Sequence, residues 1–356
     1  MCMAVKAVSP ICRSDRGHCT HSCQALEDAD VSVVRIDAIR AARRVLRGHV
    51  LETPLVPVGR CTTQDGSPIL LKAENVQPTG SFKVRGATYK ITRLTVDARR
   101  RGVIAYSTGN HAQAVARAAH RLSVAATIVM SPDVPHHKIQ ATIGWGADVV
   151  MAEPTSKARR DLAERLARDR GLTLIPPYDD VDVITGQGTV GLEILEQTTD
   201  VPLAVIVPIG GGGLIAGIAL AIKLLAPQVE VIGAEPELEN DAWQSFHRGA
   251  HVQLSAASAS IADAIKVQTL GDLTYPMILS YVDDIVTVSE GQIRQAIAQA
   301  AVDAHLVLEP AGAVALAAAT LYPGQSSADR PLIAIASGGN ITRNALHLAL
   351  TNTDPA

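Results

Sequence analysis

The stretch "GVIAYSTGNHAQAVARAAHRLSVAATIVMS" (Gly102–Ser131) decides the fold. GVIAYST is an apolar run of strand length, NHAQAVARAAHRL carries helical apolar spacing, and AATIVMS is a second strand-length run. A strand, a crossover helix and a second strand in this order make a βαβ unit, which demands parallel strands. Downstream, HHKIQATIGWG reads as a helix, ADVVMAE as a strand, and SKARRDLAERLARDRG as an amphipathic helix closed by Gly171. LAVIVPIGGGG, VEVIGAE and PLIAIASGGN repeat the strand-like theme further on. From about Val33 onward the chain is therefore expected to be α/β, with open parallel sheets flanked by helices and ligands at the carboxyl ends of strands. No internal repeat or long low-complexity linker divides it, so two interwoven domains are expected rather than two in series.

Composition removes several function classes. The 356 residues are 47% hydrophobic, enough for a sizeable core. Lys plus Arg number 32 against 35 Asp plus Glu, and no basic block is long enough to track a nucleic-acid backbone, so no nucleic-acid partner is expected. The most apolar stretch, GLIAGIALAIKLLA, is broken by Lys223 and too short to span a bilayer, so no membrane segment is expected. The start, MCMAVKAVSPICRSDRGHCTHSC, lacks the continuous apolar core of a signal peptide, which points to the cytoplasm. Cys2, Cys12, Cys19 and Cys23 fall there beside His18 and His21, without the CxxC spacing of a zinc site. Residues 1–30 read as a disordered extension, or as the product of a start codon assigned too far upstream. Cys61 has no evident partner.

The unusual residues collect at strand ends. In PIGGGGLIAG a glycine turn follows an apolar strand and opens a helix, so the backbone N–H groups of Gly210, Gly211, Gly212 and Gly213 can cradle a phosphate. A tight turn needing positive φ angles is the plainer explanation, although four successive glycines exceed that need. The same turn matches G-x-G-x-x-A at Gly211, Gly213 and Ala216, with Glu235 some twenty residues on, which keeps a nicotinamide-dinucleotide oxidoreductase in contention. STGNHAQ crowds Ser107, Thr108, Asn110 and His111 onto one loop, suited to a small carboxylate at a helix N-terminus. A single N-cap would explain one hydroxyl, not Asn-His beside Gly109. Ser337 ends a buried strand in ASGGN. Finally, QPTGSFKVRGATYK holds Lys83 between Phe82 and Val84, neighbours that an ordinary surface lysine would not need.

With Lys83, these motifs resemble the fold type II pyridoxal-phosphate enzymes (tryptophan synthase β-like), specifically the threonine/serine dehydratase and serine racemase group. The resemblance runs from Val33 to Leu350 through TPL, ENVQPTGSFKVRGA, STGNHAQ, GQGTVGLEI, GGGGL, AEPE, VDDIVTVSE, EPAGAVALA and SGGN, in order. It implies a large cofactor-binding domain from 31–95 and 175–350 and a small domain from 96–174. It implies that Lys83 carries pyridoxal 5'-phosphate covalently, flanked by Phe82. Asn110 would bond the ring oxygen, Gly210–Gly213 with Leu214 the phosphate, and Ser337 the ring nitrogen, with Glu309 of EPAGAVALA also at the cofactor. An amine desolvated between apolar neighbours has a lowered pKa and stays nucleophilic. A serine opposite the ring nitrogen leaves it unprotonated, a weaker electron sink that favours prompt loss of a β-substituent. The implied reaction is dehydration of L-threonine or L-serine to a 2-keto acid and ammonia, with Lys83 as base and Ser107, Thr108 and His111 on the substrate carboxylate.

The resemblance implies further features. In the racemase-like branch, residues matching Glu235 and Asp241, with the carbonyl at Glu239, bind a divalent cation, and oxygen-only ligands suit Mg²⁺ or Ca²⁺; a merely solvated acidic loop is the alternative. Racemases use a serine where this chain has Thr108, whose added methyl restricts rotamers, so racemisation is expected to be at most a side activity. Tyr178 of PPYDD is dehydratase-like. Asp263-Ala264 stands where dehydratases usually read Asp-Gly, narrowing the space. Arg159 matches a position that can approach the substrate side chain, although a solvated helix face also explains it; if it reaches inward, hydroxyaspartate or hydroxyectoine-derived hydroxy-diaminobutyrates compete as substrates. No ACT-like regulatory domain fits after Leu350, which suits a catabolic enzyme, expected as a homodimer or homotetramer.

Overall fold

Among the residues that the computed structural model describes (34–351, apart from 65, 135, 256–258 and 324–329), ten strands form two sheets. The cysteines and histidines of the N-terminus, with the expected extension over 1–30, lie outside the described residues. The strands are β1 (Leu55–Thr62), β2 (Pro68–Lys72), β3 (Val103–Tyr106), β4 (Ala126–Met130), β5 (Asp148–Met151), β6 (Thr173–Leu174), β7 (Ala204–Pro208), β8 (Glu230–Pro236), β9 (Asp284–Val288) and β10 (Leu332–Ile335). Around them run α1 (Ile36–Leu46), α2 (Lys83–Thr92), α3 (Val96–Arg101), α4 (Asn110–Arg121), α5 (His136–Gly144), α6 (Ser156–Arg170) and α7 (Val181–Gln197). The later helices are α8 (Gly213–Leu225), α9 (Asp241–Arg248), α10 (Thr274–Tyr281), α11 (Glu290–Asp303), α12 (Pro310–Leu321) and α13 (Arg343–Thr351).

One sheet has the order β1-β2-β10-β7-β8-β9 and the other β5-β4-β3-β6. Every pairing is parallel except β1 with β2, which is antiparallel. That departs from the expected all-parallel sheets, and the cause is length: residues 63–67 are too few for a crossover, so the chain doubles back. The central strands β4 and β7 are buried at every position, as parallel strands covered on both faces must be. Local chemistry sets the helix ends. Thr155 accepts from Ala158 N to start α6, and Gly171, at φ 66°, closes it. Asp180 accepts from the amides of Asp182 and Val183 to start α7.

Strand order carries the functional consequence. Because β2, β10, β7 and β8 lie side by side and parallel, their carboxyl ends share one sheet edge. From that edge leave, in order, the segment leading to Lys83, the Ser337 turn, the glycine turn and the acidic loop at Glu235. In the second sheet β3 and β6 are parallel neighbours, so the Ser107–Asn110 turn emerges beside the segment carrying Pro177 and Tyr178.

A buried ion network fixes α2, the helix that Lys83 opens. Arg85 reaches Glu74 at 2.7 Å and Glu193 at 2.6 Å, and Lys72 reaches Glu193 at 2.7 Å. All four side chains are at most 4% exposed. Two cations face two carboxylates, and Thr53 completes the set by donating to Glu74 and accepting from Lys72. The network ties β2, α2 and α7 together.

Candidate active site

Lys83 lies at the centre of the candidate site. Its Nζ donates to the Pro177 carbonyl at 2.7 Å and stands 5.1 Å from the centre of the Phe82 ring. The surrounding protein strips water from the amine and lowers its pKa from 10.5 to about 8. The Phe82 amide donates to the Ser337 carbonyl at 3.1 Å, which sets the lysine beside the end of β10. Ser337 is buried, with its Oγ 3.4 Å from the Ala311 carbonyl, a long bond that leaves the hydroxyl weakly engaged.

The glycine turn has two separate reasons for its composition. Gly212 adopts φ 88°, a left-handed conformation, and a side chain on Gly211 would strike the Tyr178 ring. A Cβ on Gly210 would stand 3.1 Å from Ile265 backbone, in the segment that follows Asp263-Ala264. The glycine count alone is thus explained by packing and conformation, and the argument for an anion moves to the backbone. Helix α8 starts at this turn with no side-chain cap, although Gly211, Gly212, Gly213 and Leu214 are all buried. A buried helix N-terminus with unspent N–H groups needs a partner, and an anion supplies it.

A second uncapped N-terminus faces the site from the other sheet. Helix α4 opens after Gly109 without a side-chain cap on its first turn, and a Cβ at Gly109 would meet open space. Ser107 Oγ accepts from the Gly109 amide at 3.3 Å, and both Ser107 and Thr108 are half-buried. His111 Nε2 bonds the Ile175 carbonyl at 2.8 Å, which fixes that nitrogen as the donor. Burial and the nearby Lys83 charge lower its pKa to about 3 despite this bond, so the His111 imidazole is neutral.

Asn110 Nδ2 donates to Glu309 Oε1 at 2.5 Å, and a side chain on Gly338 would strike the same Glu309 oxygen. Burial pushes the Glu309 carboxyl up to about 7. Tyr178 covers the turn from the opposite side, and desolvation raises its phenol to about 12. Arg159 bonds Ser156 Oγ and interacts with the Asp133 charge, neither of which belongs to this group. Its neighbour Arg160 pairs with Glu164 at 2.8 Å, and its charge reaches the phenols of Tyr106 and Tyr178. Sequence reasoning passed over Arg160 and Asn340, though Asn340 stands within the SGGN motif.

The acidic loop is buried, and the Asp241 charge is felt at the Tyr178 phenol. Glu235, Glu239 and Asp241 are each 1% exposed. Glu235 accepts from the amides of Ala242 and Trp243, capping α9, and Glu239 Oε1 accepts from Gln268 N. Glu239 Oε2 and Asp241 Oδ2 have no hydrogen-bond partner. Desolvation and mutual repulsion raise Glu235 well above the usual carboxylate range and Asp241 to about 7. Among the described residues no group of three or more His, Cys, Asp or Glu side chains is arranged to hold a metal ion. None of the described helices is long and apolar enough to cross a membrane.

Residues 46–338 match the family model described as "Pyridoxal-phosphate dependent enzyme". The chain is 40% identical over 305 residues to the L-threo-3-hydroxyaspartate ammonia-lyase of Saccharomyces cerevisiae, covering 86% of this chain and 92% of that one. It is 41% identical over 311 residues to the catabolic L-threonine dehydratase of Escherichia coli, covering 86% and 93%. The crystal structure of serine racemase from Dictyostelium discoideum superposes with a TM-score of 0.80 at 32% identity, covering 87% of this chain and all of that one.

Proposed function

We infer function from one premise: this chain belongs to the pyridoxal-phosphate-dependent enzyme family, in its fold type II, threonine dehydratase-like branch. It is a pyridoxal-phosphate-dependent ammonia-lyase acting on hydroxy amino acids. The dinucleotide reading of the glycine turn is set aside by that membership. The finer assignment is a β-elimination on L-threonine or L-serine, giving a 2-keto acid and ammonia. The observation that carries it is a desolvated lysine amine between two uncapped helix N-termini.

The residues fit the cofactor: α8 offers unspent amides for its phosphate, Asn110 a side-chain N–H for its ring oxygen, and Ser337 a weakly engaged hydroxyl for its ring nitrogen. Phe82, Leu214 and Glu309 complete the surroundings. Bound pyridoxal phosphate supplies an electron sink for the pair left at the substrate Cα when its proton departs. Lys83 Nζ, neutral in a useful fraction near pH 8, takes that proton. The first turn of α4, with the Ser107 and Thr108 hydroxyls, holds the substrate carboxylate, while neutral His111 shapes the loop through Ile175. Tyr178 walls the space over the glycine turn and limits the substrate's side chain.

Incubating the purified protein with L-threonine, L-serine and L-threo-3-hydroxyaspartate, and measuring keto acid and ammonia, tests the reading. No turnover of any of them would sink it. Hydroxyaspartate outpacing threonine would install the second reading, favoured by the 40% identity to the L-threo-3-hydroxyaspartate ammonia-lyase of Saccharomyces cerevisiae. Chiral analysis of the same reactions in deuterated water reports racemisation through Thr108. The reading also puts the enzyme in the cytoplasm as a homodimer or homotetramer, which light scattering on the eluted protein tests.

The amine's low pKa makes a separate prediction. Uptake of pyridoxal phosphate by the cofactor-free protein should accelerate with rising pH around a midpoint of about 8, not the 10.5 of an ordinary lysine. Stopped-flow absorbance measures this; a rate still climbing without inflection above pH 9 would contradict a desolvated amine.

A divalent cation, Mg²⁺ or Ca²⁺, is assigned to Glu235, Asp241 and the Glu239 carbonyl. The unpartnered buried Asp241 Oδ2 supports it, with the unpartnered Glu239 Oε2 adding negative charge nearby, because buried carboxylates that repel one another gain from a shared cation. An ion present at a hundredfold excess over its dissociation constant should add about 2.7 kcal/mol of stability, read as a rise in melting temperature of several degrees. Chelation should reverse the rise, and Asp241→Ala should abolish it. An unchanged melting curve in all three experiments would leave only a buried acidic cap.

A further inference from the structure

Asn110 is useful to the bound cofactor only if its carboxamide sits one way round. The amide has a donor end and an acceptor end that occupy nearly the same volume, so its orientation is set by its partners. On one side the donor, Nδ2, meets Glu309 Oε1. On the other side the acceptor, Oδ1, receives the Asn340 Nδ2 at 2.8 Å. Asn340 Nδ2 spends its other hydrogen on the Thr79 carbonyl at 2.9 Å, so both of its N–H bonds are committed and its own orientation is fixed. Thr79 and Gly80 belong to the turn that leads into Lys83. Gly80, at φ 70°, lies so close to the Asn340 carboxamide that a Cβ there would strike its Oδ1 and come within 2.9 Å of its Nδ2.

We propose that Asn340 is a positioning residue: its carboxamide, anchored on the turn before Lys83, holds Asn110 with oxygen inward to Asn340 and nitrogen outward, so that the spare Nδ2 hydrogen is presented to the cofactor ring oxygen. The chain Thr79–Asn340–Asn110–Glu309 therefore couples three elements of the site: the lysine turn, the α4 N-terminus and the α12 N-terminus. An inverted Asn110 would set its Nδ2 against the Asn340 Nδ2, donor against donor, and would take its N–H away from Glu309 Oε1. This inference rests on the cofactor assignment above and deepens it.

Asn340→Asp is the discriminating variant. An aspartate cannot donate to Thr79 or Asn110, so Asn110 turns over to give its N–H to the new carboxylate, and the donor to the ring oxygen is lost. The dissociation constant for pyridoxal phosphate, measured by fluorescence titration of cofactor-free protein, should rise about tenfold, as loss of one buried polar bond implies. The visible absorption band of the bound cofactor, and the pH at which it titrates, should shift. Asn340→Ala should show the same changes in smaller degree and serves if the aspartate variant does not fold. In an Asn110→Ala background, Asn340→Asp should move neither band nor dissociation constant further, because the group it acts through is gone. If both Asn340 variants keep the wild-type band and dissociation constant while melting at lower temperature, Asn340 is only a structural tie and the proposal fails. A wild-type protein that takes up no pyridoxal phosphate would instead bring down the cofactor assignment on which it rests.

Discussion

Lys83→Ala is expected to abolish keto-acid release, lowering kcat by about four orders of magnitude or more, since general-base transfer alone accounts for up to about that much. The substitution removes the amine that bonds Pro177 and the apolar-flanked nucleophile in one step. It should spare the fold, because the buried charges that hold α2 belong to Arg85, Lys72, Glu74 and Glu193 and not to Lys83. Circular dichroism and thermal melting should therefore match the wild type. Borohydride reduction followed by peptide mapping should find the label on the Lys83 peptide in the wild type and none in the variant. A label on another lysine, or activity within tenfold of wild type, would refute the role given to this residue.

Arg85→Met is expected to destabilise the fold by about 3–5 kcal/mol, the usual cost of leaving buried carboxylates unpaired. Both Glu74 and Glu193 lose their guanidinium, and only Lys72 is left to face two negative charges. Denaturant unfolding would read this as a lower midpoint. The pH response gives a second check with a definite sign. Burial pushes the Glu74 carboxyl up, but the Arg85 and Lys72 charges outweigh it and hold Glu74 below its ordinary pKa of 4.5, so its contribution is present above that pH and is lost as the pH falls through its depressed folded value. In Arg85→Met that acid loss should shrink. A midpoint within 1 kcal/mol of wild type would mean that the network is energetically neutral.

Much of the architecture was legible because the signals are local. Strand-length apolar runs, Gly171 after α6 and the glycine turn after β7 all act over a few residues, and the strands and helices fall where those signals sit. The doubling back of β1 on β2 was not read, since it depends on counting five residues between two weak strands. The site was legible in its motifs but not in its ties. Lys72 and Glu193 are 121 positions apart, and Asn340 and Asn110 are 230 apart, so no window along the chain displays either pairing. Arg159 and Arg160 illustrate a different limit: consecutive residues point about 100° apart around a helix, and only the packed structure shows Arg159 on Ser156 and Arg160 on Glu164.

The Tyr178 ring resting on Gly211 bears on how the substrate range of such an enzyme can change by mutation. Neither position can enlarge alone, because any side chain at Gly211 meets the ring already there. The two sites are therefore epistatic, and the order of steps is constrained. A smaller residue must appear at 178 first, opening room beside the glycine turn and, on the function proposed above, admitting bulkier side chains. Only then does alanine at 211 become tolerable, and once it is fixed the route back to tyrosine is closed. Selection for a wider pocket at this wall would thus act as a ratchet, a history written into the pair of residues rather than into Lys83 or the groups around it.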